Sequence, residues 1–270
     1  MTVLIGLMLS APTRVNSATA PVDLATASTF GILANTTITN TGTSSVGGSA
    51  GGDIGLYAGS SITGLTKLTI SGTVHISDAT ALLAKADLSK AYDNAAGRTP
   101  FTTIASELGG KTLVPGVYRS KSGTFGLTGT LTLDGKNDAN AVFIFQMTKT
   151  LITASASKII MKNGARVCNV FWQVGSSATL GTNSYFIGHI MASTSISAKT
   201  GARLYGSLHA KTGAVTLQSN KIMNIVCSSS PTEEGGMLPS TGSDLYGFLM
   251  IGAFLVLVGV VGLRFRKRYE

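Results

Sequence analysis

A chain of 270 residues, 44% hydrophobic and only 12% charged, has room for one sizeable core and is too apolar and too weakly charged to be disordered. Its net charge is +9, of which residues 21–242 carry +6, and the Lys and Arg of that stretch are scattered, with no run and no interleaved aromatics. That argues against a nucleic-acid partner and leaves a mild attraction to anionic envelope polymers.

Val3 to Leu9 is a short apolar run, and Ala18-Thr19-Ala20 has the A-x-A form of a signal-peptidase site, so residues 1–20 are expected to be a signal peptide. The basic residues that usually precede such a run are missing, as a truncated start would leave it. Residues 21–76 are rich in Thr, Gly and Ser, with Phe30-Gly31-Ile32-Leu33 and Leu68-Thr69-Ile70 reading as strands and 42–53 as loop or tight corners.

Ser77-Asp78 can cap a helix, predicted over about 78–96 and ended by Gly97. Leu83, Ala84, Leu88, Ala91, Tyr92 and Ala95 form its apolar stripe, which should pack along one side of the strands and bury that side. Strands resume at Leu113. Thr130-Leu131-Thr132-Leu133 alternates, 135–140 is a polar turn, and Val142-Phe143-Ile144-Phe145 and Val170-Phe171-Trp172 are continuously apolar, as strands buried on both sides would be.

The last third repeats itself. Gly188 recurs as Gly206, Ile190 as Leu208, Ala192 as Ala210, and Phe186 as Leu204 and then Ile222, always at the same eighteen-residue step. So short a fixed period is a solenoid rung made of strands. The expected fold is mainly β, a β-helix with the one long α-helix beside it. Ala178-Thr179-Leu180, Ile196-Ser197-Ala198 and Val215-Thr216-Leu217 share the form apolar, hydroxyl, apolar. With a period of two, Thr179, Ser197 and Thr216 point outward in a column, and Thr182, Thr200 and Ser219 form a second. These columns are either a rigid lattice of short hydroxylated side chains or the ordinary solvated face of a Thr-rich sheet.

Catalytic and metal-binding signals are weak. Gly47-Gly48-Ser49-Ala50-Gly51 matches G-x-S-x-G only formally, since no helix follows closely. His75, His189 and His209 lack metal-ligand spacing and read as isolated surface residues, and residues 168–227 contain no Asp or Glu. No enzyme, metal or cofactor is expected. Cys168 and Cys227 form either a disulfide that staples the last rungs or two buried free thiols.

A short linker, 228–237, precedes Leu238-Pro239-Ser240-Thr241-Gly242. An apolar span, 245–263, and the basic tail Arg264, Arg266, Lys267 and Arg268 follow. Pentapeptide, span and tail together resemble the sorting signal read by sortases. The resemblance implies an exported protein, held in the membrane before sorting and then joined through Thr241 to peptidoglycan of a Gram-positive-type cell wall.

Asn169-Val170-Phe171-Trp172-Gln173-Val174-Gly175-Ser176-Ser177-Ala178-Thr179-Leu180-Gly181-Thr182 resembles the signature stretch of the microbial ice-binding protein family. Phe30-Gly31-Ile32-Leu33-Ala34, Gly52-Asp53-Ile54-Gly55, Pro115-Gly116-Val117-Tyr118 and Thr212-Gly213-Ala214-Val215-Thr216-Leu217 match it too, in order, so the likeness spans 22–227. It implies a right-handed, three-faced β-helix domain (21–227), no cofactor or metal, and a flat face that adsorbs to ice. Thr179, Thr182, Ser197, Thr200 and Thr216 are the candidate ice-binding residues. A structural or adhesive wall protein that binds glycan or protein instead is the alternative. The T-A/G-x-T/N motif of some members appears at Thr26-Ala27-Ser28-Thr29 and Thr63-Gly64-Leu65-Thr66, matches that a Thr-rich chain yields by chance. Lys199, Arg203, Lys211 and Lys221 fall near the candidate columns, where strongly hydrated cations would disturb ordered water.

Overall fold

The computed structural model describes residues 19–227; the expected signal peptide, linker, sorting signal and membrane span lie outside them, apart from Thr19 and Ala20. Among the described residues no helix is long and apolar enough to cross a membrane.

Short parallel strands stack into three sheets, the three faces of a β-helix. Face a has nine strands in the spatial order Val74–Ile76, Asp53–Leu56, Phe30–Ala34, Leu208–Ala210, His189–Ala192, Val170–Val174, Phe143–Met147, Gly116–Ser120 and Thr102–Ile104. Face b runs Phe125–Leu127, Leu151–Thr153, Ala178–Leu180, Ile196–Ala198, Val215–Gln218, Thr37–Thr41 and Ser61–Thr63. Face c runs Leu68–Ile70, Ser44–Gly47, Lys221–Met223, Arg203–Tyr205, Tyr185–Ile187, Lys158–Lys162, Thr130–Asp134 and Thr112–Leu113. The expected register holds in the last coils, where Ile190 pairs with Leu208, Ala192 with Ala210, and Phe186 with Leu204. Earlier coils are longer. Phe143 pairs with Val170, half as far again along the chain, because the corners there carry loops such as 135–140.

The order of coils is not the order of the chain. The first coil stacks on the last: Ile32 pairs with Leu208, Thr39 with Thr216, and Val46 with Ile222. The α-helix Ala79–Gly97 makes this possible. It leaves one end of the stack, after Val74–Ile76, and delivers the chain to the other end, at Thr102–Ile104. Nine strands give eight spacings, roughly 38 Å at about 4.8 Å each. Nineteen helical residues cover roughly 28 Å of that at about 1.5 Å per residue, and the segment 98–101 covers the rest.

Inside, aromatic side chains from successive rungs stack directly. Tyr118, Phe145 and Trp172 are in register. The Phe145 and Trp172 rings lie 3.9 Å apart and nearly parallel, and Trp172 Nε1 donates to the Ile187 carbonyl at 2.9 Å.

The helix forms as expected. Asp78 caps it, accepting from the Ala81 amide at 2.8 Å. Ala84, Leu88, Ala91 and Ala95 pack on Leu33, Val117, Ile144, Phe171 and Met191 of face a. Both sides of the sheet's central strands are therefore buried, which explains the unbroken apolar runs within Phe30–Ala34, Phe143–Met147 and Val170–Val174. Leu83 departs from the expectation. It is 52% exposed, because the contact is made by small residues that let the helix axis lie close, leaving the flank of the predicted stripe in solvent. Polar groups fix the seam instead. Lys85 Nζ donates to the carbonyls of Ala210 and Lys211 at 2.6 and 2.5 Å, and Gln146 Nε2 donates to those of Ala95 and Arg98 at 2.8 and 3.0 Å, closing the helix C-terminus.

The histidines also depart from expectation. His189 and His209 are buried on the covered side of face a, His209 near Lys85 of the helix and His189 beside the N-terminal segment 21–28 and the Phe171 ring. His189 Nδ1 is 2.8 Å from Ser207 Oγ, and His209 Nε2 is 2.9 Å from the Phe30 carbonyl. Burial pushes His189 down to about 3, helped by His209. Burial also pushes His209 down to about 4, helped by Lys85 and opposed by the Phe30 carbonyl.

The fold thus holds both rings neutral, while the unfolded chain protonates them near pH 6.5. Because the folded values are depressed, this stability is complete above about pH 6.5 and is lost as pH falls towards the folded values. Two protons taken up on unfolding correspond to about 2–3 kcal/mol per pH unit in that window. The urea midpoint should therefore fall steeply from about pH 6.5 to about pH 4.5. A flat profile would show that the rings are protonated in place.

Candidate functional site

Face a is covered by the helix and cannot meet a flat ligand. Face b is open. Along it one outward residue per rung falls in register: Gly126, Ile152, Thr179, Ser197, Thr216, Thr39 and Thr63. The flanking residues Ala178, Leu180, Ile196, Ala198, Val215, Leu217 and Ile38 are buried in the core and fix each hydroxyl residue outward. Thr179, Ser197 and Thr216 thus form the column that the sequence indicated.

Thr39 and Thr63, from the first two coils, extend that column to five consecutive hydroxyls. Thr39 was not singled out from sequence, and Thr63 only in a motif match attributed to chance, although Thr37-Ile38-Thr39 and Ser61-Ile62-Thr63 carry the same alternation. Their chain distance from Thr216 concealed them. Parallel strands set the five hydroxyl residues about 4.8 Å apart, with alternate positions on one strand about 6.7 Å apart.

The second column differs from the expectation. The strand Val215–Gln218 follows Ile196–Ala198 with one residue more than the regular step, but the next corner restores the step: Gly201 donates to the Gln218 carbonyl at 3.0 Å. Thr200 therefore neighbours Gln218, its hydroxyl donating to Oε1 at 3.3 Å, and Gln218 in turn pairs with Thr41. Ser219 belongs to the corner itself, with φ 53°, like Asn183 (54°), Gly201 (72°) and Gly42 (74°). Thr182 and Thr200 lie at the b–c margin, away from the central column.

Two features make the central column chemically distinctive. Its hydroxyls, on Thr39, Thr63, Thr179, Ser197 and Thr216, make no hydrogen bond to the protein among the described residues. Hydroxyls at the a–b margin are by contrast engaged: Ser177 Oγ meets Thr194 Oγ1 at 2.7 Å, and Thr124 Oγ1 meets Thr150 Oγ1 at 3.3 Å. The column also carries no titratable group. The cations expected to interrupt it are elsewhere. Arg203 and Lys221 stand on face c, Lys211 is held over the Tyr92 ring beside Asp93, and Lys199 is at a corner. The corners that follow the face b strands carry Arg203 and Lys221 onto face c, a placement that sequence spacing alone could not show.

Thr26-Ala27-Ser28-Thr29 is not on this face either. It lies in the 3-10 turn Ala25–Thr29, where Thr26 Oγ1 donates to Asp87 of the helix at 2.6 Å. Thr63-Gly64-Leu65-Thr66 contributes only Thr63, because Gly64 turns the corner at φ 77°. Gly47-Gly48-Ser49-Ala50-Gly51 joins the strands Ser44–Gly47 and Asp53–Leu56 with no helix after it. No group of three potential metal ligands occurs among the described residues. Cys168 and Cys227 form a disulfide, with Cα atoms 5.6 Å apart.

A three-faced parallel β-helix, with one face sealed by its own helix and another presenting an uncharged hydroxyl ladder, defines a surface-binding protein with no cleft at the ladder. The chain belongs to the ice-binding-like family, whose family model matches residues 32–223. It is 44% identical over 249 residues to an ice-binding protein of Nostoc sp. (strain HG1), covering 92% of this chain and 87% of that protein. It is 37% identical over 219 residues to one from Flavobacterium frigoris (strain PS1), covering 74% and 75%. The crystal structure of an ice-binding protein from the Antarctic ascomycete Antarctomyces psychrotrophicus matches with a TM-score of 0.72 and 43% identity, over 77% of this chain and 100% of that one.

Proposed function

We propose that this protein binds ice through face b, with Thr39, Thr63, Thr179, Ser197 and Thr216 as the contact ladder and Thr182 and Thr200 at its margin. The observation that carries the reading is the in-register, charge-free column whose hydroxyls have no protein partner. Such groups can bond only to water, and the regular strand spacing places those waters in a regular array. Thr rotamers are restricted, so little freedom is lost when the array joins a crystal. Protein adsorbed in this way pins the crystal front. Ice can then advance only by bulging between bound molecules, and the added curvature opposes growth.

Thermal hysteresis and recrystallisation inhibition by the full-length chain test this reading. Inactivity at high protein concentration would reject it. Because no titratable group stands in the column, ice activity should be unchanged across the neutral pH range.

The likeness of Leu238-Pro239-Ser240-Thr241-Gly242, the span 245–263 and the basic tail to a sortase signal supports retention at a Gram-positive-type cell surface. Release of the unaltered protein from walls only by peptidoglycan hydrolases, and retention of a Thr241→Ala variant in the detergent-extractable membrane fraction, would bear this out. Extraction of the unaltered protein by detergent alone would not.

A further inference from the structure

Face c differs in chemistry from face b. Its outward column reads Thr130, Lys158, Tyr185, Arg203, Lys221, Ser45 and Thr69 in register. Lys158, Arg203 and Lys221 have no carboxylate partner among the described residues, whereas Lys90 pairs with Asp87, Lys136 with Asp134 and Lys211 with Asp93. Three cations thus stand along one line with no compensating charge. Tyr185, 38% exposed, sits between Lys158 and Arg203 and packs against Tyr205, ring centroids 5.1 Å apart.

Beside Arg203 and Lys221 the surface is concave. A groove of about 540 Å³ runs along the b–c corner, lined by these two residues together with Asn183, Ser219, Thr43 and Thr69. Backbone geometry positions two of the lining side chains. Gly201 and Gly42 occupy the left-handed corner positions, and a Cβ on either would lie only 2.2 Å from Asn183 Oδ1 or Ser219 Oγ respectively. The amide and hydroxyl of the neighbouring rungs lean into the space the two glycines leave.

We propose that this groove and the adjoining cationic column bind an acidic polysaccharide, with face c facing the glycan while face b remains free. Arg203 and Lys221 match the carboxylates of the polymer, Asn183, Ser219, Thr43 and Thr69 match its hydroxyls, and Tyr185 offers an apolar ring edge to a pyranose. The volume lies within the range of small-ligand sites, about 300–1,000 Å³. Adjacent cations one rung apart, about 4.8 Å, suit a polymer whose charges recur at each sugar. A nucleic acid fits less well, because its affinity comes from neutralising many phosphates and only three cations are in line.

The test measures binding of the full-length chain to polygalacturonate, with neutral dextran and single-stranded DNA as comparison polymers. The expected result is saturable, salt-sensitive binding to polygalacturonate alone. It should weaken roughly tenfold in the R203Q/K221Q double variant and be partly retained in R203K. A control variant, K121Q/K149Q, removes the same charge outside face c and should bind like the parent. Melting temperature and ice activity should be equal in all variants, which separates this proposal from that for face b. Absence of polygalacturonate binding, equal loss in the control variant, equal binding of dextran, or tighter binding of DNA would each overturn it.

Discussion

Thr179→Tyr and Thr216→Tyr, singly, are expected to cut thermal hysteresis and recrystallisation inhibition by about tenfold or more, since a loss of about 1.4 kcal/mol in adsorption energy is already tenfold in affinity. The reason is geometric. Both residues stand in the central column with their flanking neighbours buried, so a larger side chain has nowhere to go but outward. A tyrosine ring there projects beyond the short hydroxyls of Ser197 and Thr39 and holds adjoining rungs away from the crystal. Neither substitution removes a hydrogen bond or fills the core. Stability should therefore change by no more than about 0.5 kcal/mol, which thermal unfolding and circular dichroism will register. Thr69→Tyr, on face c, is the matched control and should leave ice activity unaltered. Full activity in both face b variants would move the ice site to another face.

The second large effect concerns the disulfide. Cys168 and Cys227 are 59 residues apart, and closing a loop of that length restricts the unfolded chain by about 4 kcal/mol in the chain-entropy account. For a domain of this size, that should lower the melting temperature of a C168S/C227S variant by about 10 °C. Reductant should reproduce the fall in the unaltered protein and have no effect on the variant. Ice activity near the freezing point should survive, because Val215–Gln218 of face b stays paired on both sides, with Ile196–Ala198 and Thr37–Thr41. An unchanged melting temperature would mean that the last coil is held by its pairing alone.

Elements with a local cause were legible in the sequence. The helix was, because Asp78 caps it and Gly97 ends it. The last coils were, because their corners are short enough to keep the eighteen-residue step visible. Thr179, Ser197 and Thr216 were, because alternation with buried neighbours fixes which way each side chain points. The earlier coils were not, since loops at their corners, as between Phe143 and its partner Val170, lengthen the repeat and break its rhythm. Leu83 was placed inward by its apolar character, yet the tight seam made by Ala84, Ala91 and Ala95 leaves it outside. His189 and His209 looked like surface residues because nothing local reveals that segments distant in the chain, the helix and the N-terminal stretch 21–28, cover that side of the sheet.

The eighteen-residue step by itself determined the architecture, and the apolar-hydroxyl-apolar triplets determined that some face would carry hydroxyls. Both follow from backbone periodicity, which any short stretch of chain expresses. Only the tertiary structure decided that the first coil joins the last, because the helix carries the chain the length of the stack before winding resumes. That junction brings Thr39 and Thr63 into line with Thr216, and the stacking of rungs sends Arg203 and Lys221 to a face of their own. A continuous, uncharged ladder is therefore a property of the assembled coil, set by contacts between residues far apart in the chain.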